Sequence, residues 1–144
     1  MAIVISQSTN PIEALLAFPF LQSIDRYYPA IADWFVNTVV PGIGEGSSVL
    51  LLAKEQQRVV GMALGKTGEE RKLRCLRTNG SHSGLGIRLL DEMIERLETT
   101  KPHCTVSEEL LGGYSRPFIN RYGFDLSHVS KGQYRPGKLE YHFN

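Results

Sequence analysis

Cysteine is scarce in this chain: its 144 residues include only Cys75 and Cys104, and neither belongs to a CxxC or Cys/His ligand spacing. This scarcity argues against a disulfide framework and a zinc site, so we expect two buried, reduced thiols and no bound metal. Long hydrophobic runs are also missing, since none reaches the roughly 18 to 20 residues that cross a bilayer. Because residues 1–8 lack the basic and apolar regions of a secretory signal, we expect a cytoplasmic protein without membrane contact.

An excess of either charge is absent as well. Lys and Arg number 16 and Asp and Glu number 15, which gives a formal net charge of +1. This balance argues against a nucleic-acid surface that works through bulk positive potential. With 42% hydrophobic and 22% charged residues, the composition is that of an ordinary globular protein, and the length predicts one domain over residues 1–144.

The sequence does contain a regular succession of strand and helix patterns. Their order is β, α, α, β, β, β, α, β, α, β, β, which predicts an α/β (α+β) fold with a mixed central sheet and helices packed on its faces. Strands are expected near residues 2–6, 48–53, 59–65, 72–78, 102–106, 125–130 and 139–143. Helices are expected from Asn10-Pro11 to Pro19, from Pro29 to Pro41-Gly42, over 85–98, and from Ser115 to Tyr122 after a break at Gly112-Gly113.

The clearest helix, over residues 85–98, follows one strand and precedes another. It carries an apolar stripe opposite a charged face, formed by Ile87, Leu90, Met93, Ile94 and Leu97. A strand, a helix and a strand in this order form a βαβ unit. Its two strands are expected to be parallel, with a right-handed crossover.

The turn into that helix, NGSHSGLGIR at 79–88, holds three glycines among small polar residues. Glycine lets backbone N–H groups approach an anion, and the unpaired N–H groups of a helix's first turn add about half a positive charge. The turn can therefore hold a phosphate or pyrophosphate, although a plain strand-to-helix turn has the same local pattern. The GxxxxGK[ST] phosphate loop and the GxGxxG dinucleotide fingerprint are both absent here.

Two segments resemble the GNAT (Gcn5-related) N-acetyltransferases. The segment SHSGLG at 81–86 matches both glycines of the family's Arg/Gln-x-x-Gly-x-Gly/Ala signature, with Ser81 in place of the arginine or glutamine. The segment FINRYGF at 118–124 is similar to the family's Phe-Tyr-x-x-x-Gly-Phe segment, with Ile119 in place of the tyrosine. The inferred order of elements agrees with the family fold over essentially the whole chain.

The resemblance implies a GNAT-like fold in which two neighbouring parallel strands splay apart to form a cleft for acetyl-coenzyme A, the co-substrate. The strand before the glycine-rich turn would pair with the pantetheine arm, and the turn would hold the pyrophosphate. Carried over to this chain, the expected cofactor-binding residues are Leu76, Arg77, Thr78, Ser81, His82, Ser83, Gly84, Leu85, Gly86 and Ile87. Of these, His82 would attract a phosphate when protonated.

The reaction that the resemblance implies is direct attack of a primary amine on the acetyl thioester. The tyrosine that commonly protonates the departing thiolate would fall at Ile119, so Tyr114 and Tyr122 are the candidate substitutes, and either could instead be a core residue. Glu108 and Glu109 follow the strand that should line the cleft. Either glutamate could deprotonate the amine directly or through water, or be a solvated charge at the strand end. The expected catalytic set is therefore Tyr114, Glu108 and Glu109.

The resemblance leaves the acceptor open between a small-molecule amine and a protein amine, and it leaves a homodimer open too. Two other functions also stay open. One is a catalytically weak or inactive module that senses acyl-coenzyme A, which the missing tyrosine favours. The other is an acetyltransferase acting on charged tRNA, which the net charge does not support. The acceptor pocket would be built from the early helices and the last hairpin, whose aromatic residues are Tyr27, Tyr28, Trp34 and Tyr134.

Overall fold

The computed structural model describes residues 2–144, in which seven strands form one mixed sheet. The strands are β1 (Ile3–Ser8), β2 (Ser48–Glu55), β3 (Arg58–Lys66), β4 (Lys72–Thr78), β5 (His103–Ser107), β6 (Leu126–Lys131) and β7 (Leu139–Phe143). Their order across the sheet is β1-β2-β3-β4-β5-β7-β6, and β4 with β5 is the one parallel pair among these described strands. The predicted fold class and the predicted parallel pair are therefore confirmed.

The helices pack on both faces of this sheet. They are α1 (Phe18–Gln22) after a 3-10 turn (Glu13–Ala17), α2 (Ile31–Trp34), α3 (Val40–Glu45), α4 (Leu85–Leu97) and α5 (Leu111–Arg116). A π-helical turn (Phe35–Val39) joins α2 to α3 without a break, and another (Pro117–Arg121) continues α5. The predicted helix over 85–98 is confirmed as α4, which crosses from β4 to β5.

Two predicted helix ends, at Pro19 and Pro41, are wrong. Pro19 lies in the first turn of α1, where proline is tolerated because the first N–H groups of a helix have no carbonyl partner. Pro41 lies within the helix that continues to the end of α3, and Gly46, with a φ of 85°, ends it. In the π-helical turn before Pro41, the Val40 N–H donates to the Phe35 carbonyl, and this wider turn accommodates the proline ring.

The break predicted at Gly112-Gly113 is wrong too. Both glycines lie in α5, so Ser115 is inside the helix and is not its N-cap. A glycine in a helix costs about 1 kcal/mol relative to alanine. Packing of Tyr114 and Phe118 against the core offsets that cost, since tertiary packing supplies most of the stability of a short helix.

Two clusters of buried side chains cover the two faces of the sheet. One lies under α4 and α5 and includes Leu89 and Met93. The other lies under the helical segment 13–45 and includes Phe35. Because β3 carries Gly65, α4 can pack directly on it: a Cβ at this position would lie 2.6 Å from the Met93 Sδ. The position of α4, and hence of the turn that precedes it, is set by this close packing.

Both cysteines are unpaired thiols. Cys104 is buried and Cys75 is partly buried, and desolvation raises the pKa of both thiols to about 12. Residues 2–144 contain no group of three or more side chains that could hold a metal ion. Within the same residues, no helix combines the length and the apolar character needed to cross a bilayer.

Candidate functional site

β4 and β5 separate soon after they begin to pair. Their register contains two pairs, Lys72 with His103 and Leu73 with Cys104. Beyond these pairs, residues 74–78 of β4 run alongside the end of β5 without ladder hydrogen bonds. A cleft therefore opens between the two parallel strands, as the sequence resemblance implied.

The separation begins at a β-bulge in β4. Leu73 and Cys75 pair with adjacent residues of β3, which leaves Arg74 as the extra residue between them. A bulge bends its strand and increases the local twist, so β4 turns away from β5 directly after their last pair. The bulge also places Leu73 and Leu76 in the same core cluster, which breaks the strict alternation expected for this strand.

The cleft is narrow at its inner end, where a cavity of about 40 Å³ remains. Leu76 and Arg77 of β4 line this cavity, together with Leu110, Tyr114 and Phe118 from the segment after β5. The volume is of the order needed for one or a few water molecules. A cofactor arm would therefore enter only if side chains at the cleft move aside.

The glycine-rich turn is shaped by its own side chains. Asn79 Oδ1 accepts hydrogen bonds from the Ser81 N–H at 3.0 Å and from the Ser81 hydroxyl at 2.6 Å. Thr78 Oγ1 accepts one from the Gly80 N–H at 3.2 Å. Gly84 has a φ of 78°, in the left-handed region that other residues adopt only with strain. These contacts form the turn without any ligand.

α4 begins directly after Gly84, and its first turn is open. The first helical hydrogen bond runs from the Arg88 N–H to the Gly84 carbonyl at 3.1 Å, so the N–H groups of residues 85–87 have no partner within the helix. Gly86 leaves the surface clear, because the nearest group that a Cβ there would meet is Leu76 Cδ2 at 3.8 Å. Free N–H groups and the positive end of the helix dipole suit an anion.

The charged side chains around this turn already have partners. His82 Nε2 lies 3.0 Å from Glu55 Oε2 at the end of β2, a pairing that sequence reasoning missed. Arg77 Nε donates to Ser23 Oγ at 3.3 Å, and Arg88 Nη2 donates to a carbonyl of β1 at 3.2 Å. An anion at the turn would therefore meet backbone donors first, and Glu55 would oppose the attraction of His82 for it.

Tyr114 is the one residue of the expected catalytic set that lies in the cleft. Its hydroxyl donates to the Leu76 carbonyl at 2.6 Å, which ties α5 to the splayed end of β4. Burial is the main cause that raises the pKa of this phenol, so the hydroxyl stays protonated at neutral pH. The same hydrogen bond occupies one of the backbone acceptors expected to pair with the cofactor.

Glu108 and Glu109 lie outside the lining of the cleft and bind the start of β7 and the connection that precedes it. Glu108 Oε1 accepts a hydrogen bond from the Leu139 N–H at 2.8 Å. Glu109 forms a two-pronged ion pair with Arg135, with N···O distances of 2.7 and 2.6 Å. The hydrogen bonds from Arg135 lower the pKa of Glu109 to about 2. Both glutamates thus hold the closing hairpin against the end of β5.

A second, wider cavity of about 450 Å³ adjoins the cleft. Arg74 and Tyr28 line both spaces. Its walls come from the segment that leads into α2, from β4 and β5, and from the connection between β6 and β7. Three of the four aromatic residues predicted for an acceptor pocket, Tyr28, Trp34 and Tyr134, lie on these walls. Tyr27 does not line this cavity.

Sequence reasoning missed a buried carboxylate beside this cavity. Glu140 of β7 is 4% exposed, and its Oε2 accepts a hydrogen bond from the Tyr28 hydroxyl at 2.9 Å. The Tyr28 oxygen in turn accepts one from the Ser107 N–H at 3.2 Å. Desolvation by burial raises the pKa of both Glu140 and Tyr28. No local signal marks this pair, because its two side chains come from opposite ends of the chain.

Comparison with known proteins shows which solved structures share this fold. No family model and no curated protein sequence matches this chain. An acetyltransferase assigned to the GNAT family from Desulfovibrio desulfuricans is 22% identical, with 99% of this chain and 97% of that chain covered and a TM-score of 0.76. The ribosomal-protein-S18-alanine N-acetyltransferase from Escherichia coli is 16% identical, with 99% and 92% covered and a TM-score of 0.76. The PaiA N-acetyltransferase from Thermoplasma acidophilum, solved in complex with coenzyme A, is 16% identical, with 99% and 98% covered and a TM-score of 0.68.

In all three cases the likeness extends over 99% of this chain, so it includes the splayed strands, the glycine-rich turn and the walls of both cavities. The architecture that the two sequence motifs implied is therefore confirmed. This protein has the fold of the GNAT acetyltransferases.

Proposed function

We propose that this protein is an acetyl-coenzyme A-dependent N-acetyltransferase that acylates a primary amine by direct attack. The observation that carries the proposal is the separation of β4 from β5 beside the open first turn of α4. This arrangement joins a cleft for an extended arm to a turn suited to a diphosphate, and acetyl-coenzyme A contains both groups. A structural neighbour with the same fold holds coenzyme A.

The diphosphate would lie at the glycine-rich turn. The proposed binding residues are Ser81, His82, Ser83, Gly84, Leu85, Gly86 and Ile87. Neutral backbone donors that point at one place stabilise an anion, and the helix dipole adds to their effect. The backbone N–H groups are the main proposed ligands of the diphosphate, because the His82 side chain is already paired with Glu55.

The pantetheine arm would run along Leu76, Arg77 and Thr78, whose ladder bonds to β5 are missing. The Leu76 carbonyl already accepts the Tyr114 hydroxyl, but a carbonyl oxygen has two lone pairs and can accept a second donor. Movement of Tyr114 would widen the cleft and free the carbonyl at the same time. Cofactor entry and the position of Tyr114 are thus coupled.

The reaction needs few groups from the protein. The amine nitrogen attacks the thioester carbon, the new C–N bond forms, and the C–S bond breaks as the tetrahedral intermediate collapses. The nitrogen loses a proton, and the departing thiolate gains one. Holding the two reactants together can lower the barrier by about 7 to 11 kcal/mol. Acid or base assistance typically contributes about 10²- to 10⁴-fold.

Tyr114 is the proposed acid for the thiolate, because it is the member of the expected catalytic set that lies in the cleft. Burial raises the pKa of its phenol, which makes it a weak acid, so its contribution depends on movement of the side chain toward solvent or the thiolate. Glu108 and Glu109 are the proposed bases, acting on the amine through water. The ion pair with Arg135 makes Glu109 a weak base, since it lowers the pKa of that carboxyl to about 2. Glu108 has no such ion pair and is therefore the better candidate of the two.

A second candidate function is a module that binds acyl-coenzyme A without turnover. Ile119 favours it: this residue stands where similar proteins commonly carry the tyrosine acid, and its side chain is 50% exposed. An isoleucine has no proton to give a thiolate. The two functions share the cofactor site and differ only in whether an amine releases the thiol.

Two measurements separate these functions. Calorimetric titration with acetyl-coenzyme A tests the shared site, and a free-thiol release assay over a panel of primary amines tests turnover. Binding with amine-dependent thiol release supports the enzyme. Binding without release by any amine supports the module, and absence of binding refutes both.

A further inference from the structure

The Arg74 guanidinium lies in the second cavity without a counter-ion. Its Cζ lies 5.3 Å from the centroid of the Trp34 ring, and the residue is partly buried. The Arg74 side chain takes part in no hydrogen bond or ion pair within residues 2–144, and its one described charge contact is with the Trp34 ring. Glu70, a carboxylate that attracts it, forms an ion pair with Lys72 and a hydrogen bond with His103.

The charge on the cavity walls is one-sided. Lys72 and Arg74 both line the cavity, and none of its lining residues in the described part of the chain is acidic. A partly buried cation without a counter-ion is costly; the Trp34 ring offsets part of that cost, and a ligand that supplies an anion would offset more. A guanidinium presents its donors in a planar fork that matches the oxygens of a carboxylate or a phosphate.

The position of Arg74 relates this cation to the reaction. It is the bulge residue of β4, and it lines both the cavity and the cleft. An anionic group bound there would hold the rest of its ligand at the point where β4 and β5 diverge. Tyr28 and Tyr134, packed edge to face at 5.3 Å, would flank the body of that ligand.

We propose that Arg74 determines the acceptor class: the acceptor is an amine that also carries an oxyanion, and Arg74 binds the oxyanion. This inference rests on the proposed function and deepens it. The shared chemistry is that of a carboxylate or a phosphate, as in an amino acid or an amino-alkyl phosphate. An amine without an anionic group would bring a second positive charge beside the Arg74 guanidinium and supply no anion for it, so this acceptor would be disfavoured.

The test uses matched acceptor pairs on the full-length protein saturated with acetyl-coenzyme A. Phenylalanine is compared with phenylalaninamide, and phosphoethanolamine with ethanolamine, by kcat/KM for thiol release. One charge-assisted contact predicts that the anionic member of at least one pair is favoured by about 10- to 100-fold. Arg74→Gln should abolish that preference, and Arg74→Lys should keep part of it. The pair that shows the preference identifies the oxyanion.

Arg26→Gln is the matched control, because the Arg26 guanidinium also lies over an aromatic ring, at 4.9 Å from the Tyr27 centroid, but lines neither cavity. An equal loss of preference in Arg26→Gln would overturn the inference. So would equal kcat/KM values, each expressed per neutral amine at the assay pH, for the members with and without an oxyanion in both pairs in the unaltered protein.

A binding measurement separates this inference from the proposed function. Phenylalanine and phosphoethanolamine are titrated into the protein without cofactor and followed by NMR. Arg74-dependent binding of either ligand without thiol release from any amine would support the anion site and refute the transferase. Thiol release without Arg74-dependent preference or binding would support the transferase and refute the anion site.

Discussion

Replacing Gly86 by glutamate is expected to change cofactor affinity and protein stability in opposite directions. Gly86 is the second residue of α4, beside the N–H groups proposed to bind the diphosphate. A Cβ at this position would meet no atom closer than Leu76 Cδ2 at 3.8 Å, so the new side chain extends into open space. The substitution thus places a negative charge at the proposed anion site without disturbing the core.

The loss of affinity follows from Coulomb's law. Two unit charges about 5 Å apart in water repel by about 0.8 kcal/mol, and the two charges of a diphosphate give about 1.6 kcal/mol. That energy corresponds to about 15-fold weaker binding of acetyl-coenzyme A, before any steric effect is added. If the bound cofactor excludes water from the turn, the lower dielectric constant there would make the loss of affinity larger.

Stability should rise. Glutamate is a better helix former than glycine by about 0.5 kcal/mol. Its charge near the start of α4 interacts favourably with the helix dipole by about 0.3 to 1 kcal/mol. Together these effects predict a gain of about 1 kcal/mol and an increase in Tm of about 3 °C. Thermal unfolding without cofactor measures the gain, and calorimetric titration with acetyl-coenzyme A measures the affinity.

Gly44→Glu is the matched control, because Gly44 is an exposed glycine of α3 whose nearest neighbour to a Cβ is Pro11 at 4.0 Å. This variant should bind acetyl-coenzyme A as the unaltered protein does. Unchanged affinity in Gly86→Glu, with the protein folded, would refute the placement of the diphosphate at the first turn of α4.

Three further outcomes are expected. Gly84→Ala should lower the free energy of unfolding by about 1 to 2 kcal/mol in urea titrations, because alanine is strained at a φ of 78°; unchanged stability would contradict that conformation. If the Tyr114 hydroxyl protonates the thiolate, Tyr114→Phe should lower kcat by about 10²- to 10⁴-fold. An unaltered kcat would show that the hydroxyl has only a structural role, as the donor to the Leu76 carbonyl. Arg135→Gln should lower stability slightly at pH 7, because it removes the ion pair with Glu109. Because the pKa of Glu109 falls from about 4.5 to about 2 in the folded protein, this difference should persist above pH 4.5 and shrink as the pH falls toward 2; a difference independent of pH would contradict the ion pair.

Much of the fold could be predicted from local patterns. β4 and β7 have the predicted ends, and α4 ends within one residue of its predicted end. Alternation and helical periodicity depend on neighbours in the sequence, so they survive folding except where a bulge such as that of β4 interrupts them. The errors lie at Pro19, Pro41 and Gly112-Gly113. Pro19 is in the first turn of a helix, where its missing N–H is not needed, a π-helical turn accommodates Pro41, and packing stabilises the two glycines.

For the candidate site too, local features could be predicted from the sequence, whereas the roles of the residues could not be established. The glycine-rich turn before α4 could be located from sequence, because glycine conformations and a helix start are local properties. The cofactor-binding roles of its residues, and the catalytic roles of Tyr114, Glu108 and Glu109, stay predictions that the variants above can test.

By itself, the sequence determined the order of strands and helices, the amphipathic α4 and the turn that precedes it. Tertiary structure alone decided the bulge at Arg74, the contact of Tyr114 with the Leu76 carbonyl, and the buried pair of Tyr28 with Glu140. The physical reason is distance along the chain: a turn needs only its own few residues. By contrast, folding alone brings together the side chains around Arg74 and leaves its charge without a counter-ion. Folding also brings Tyr28 to the buried carboxylate of Glu140.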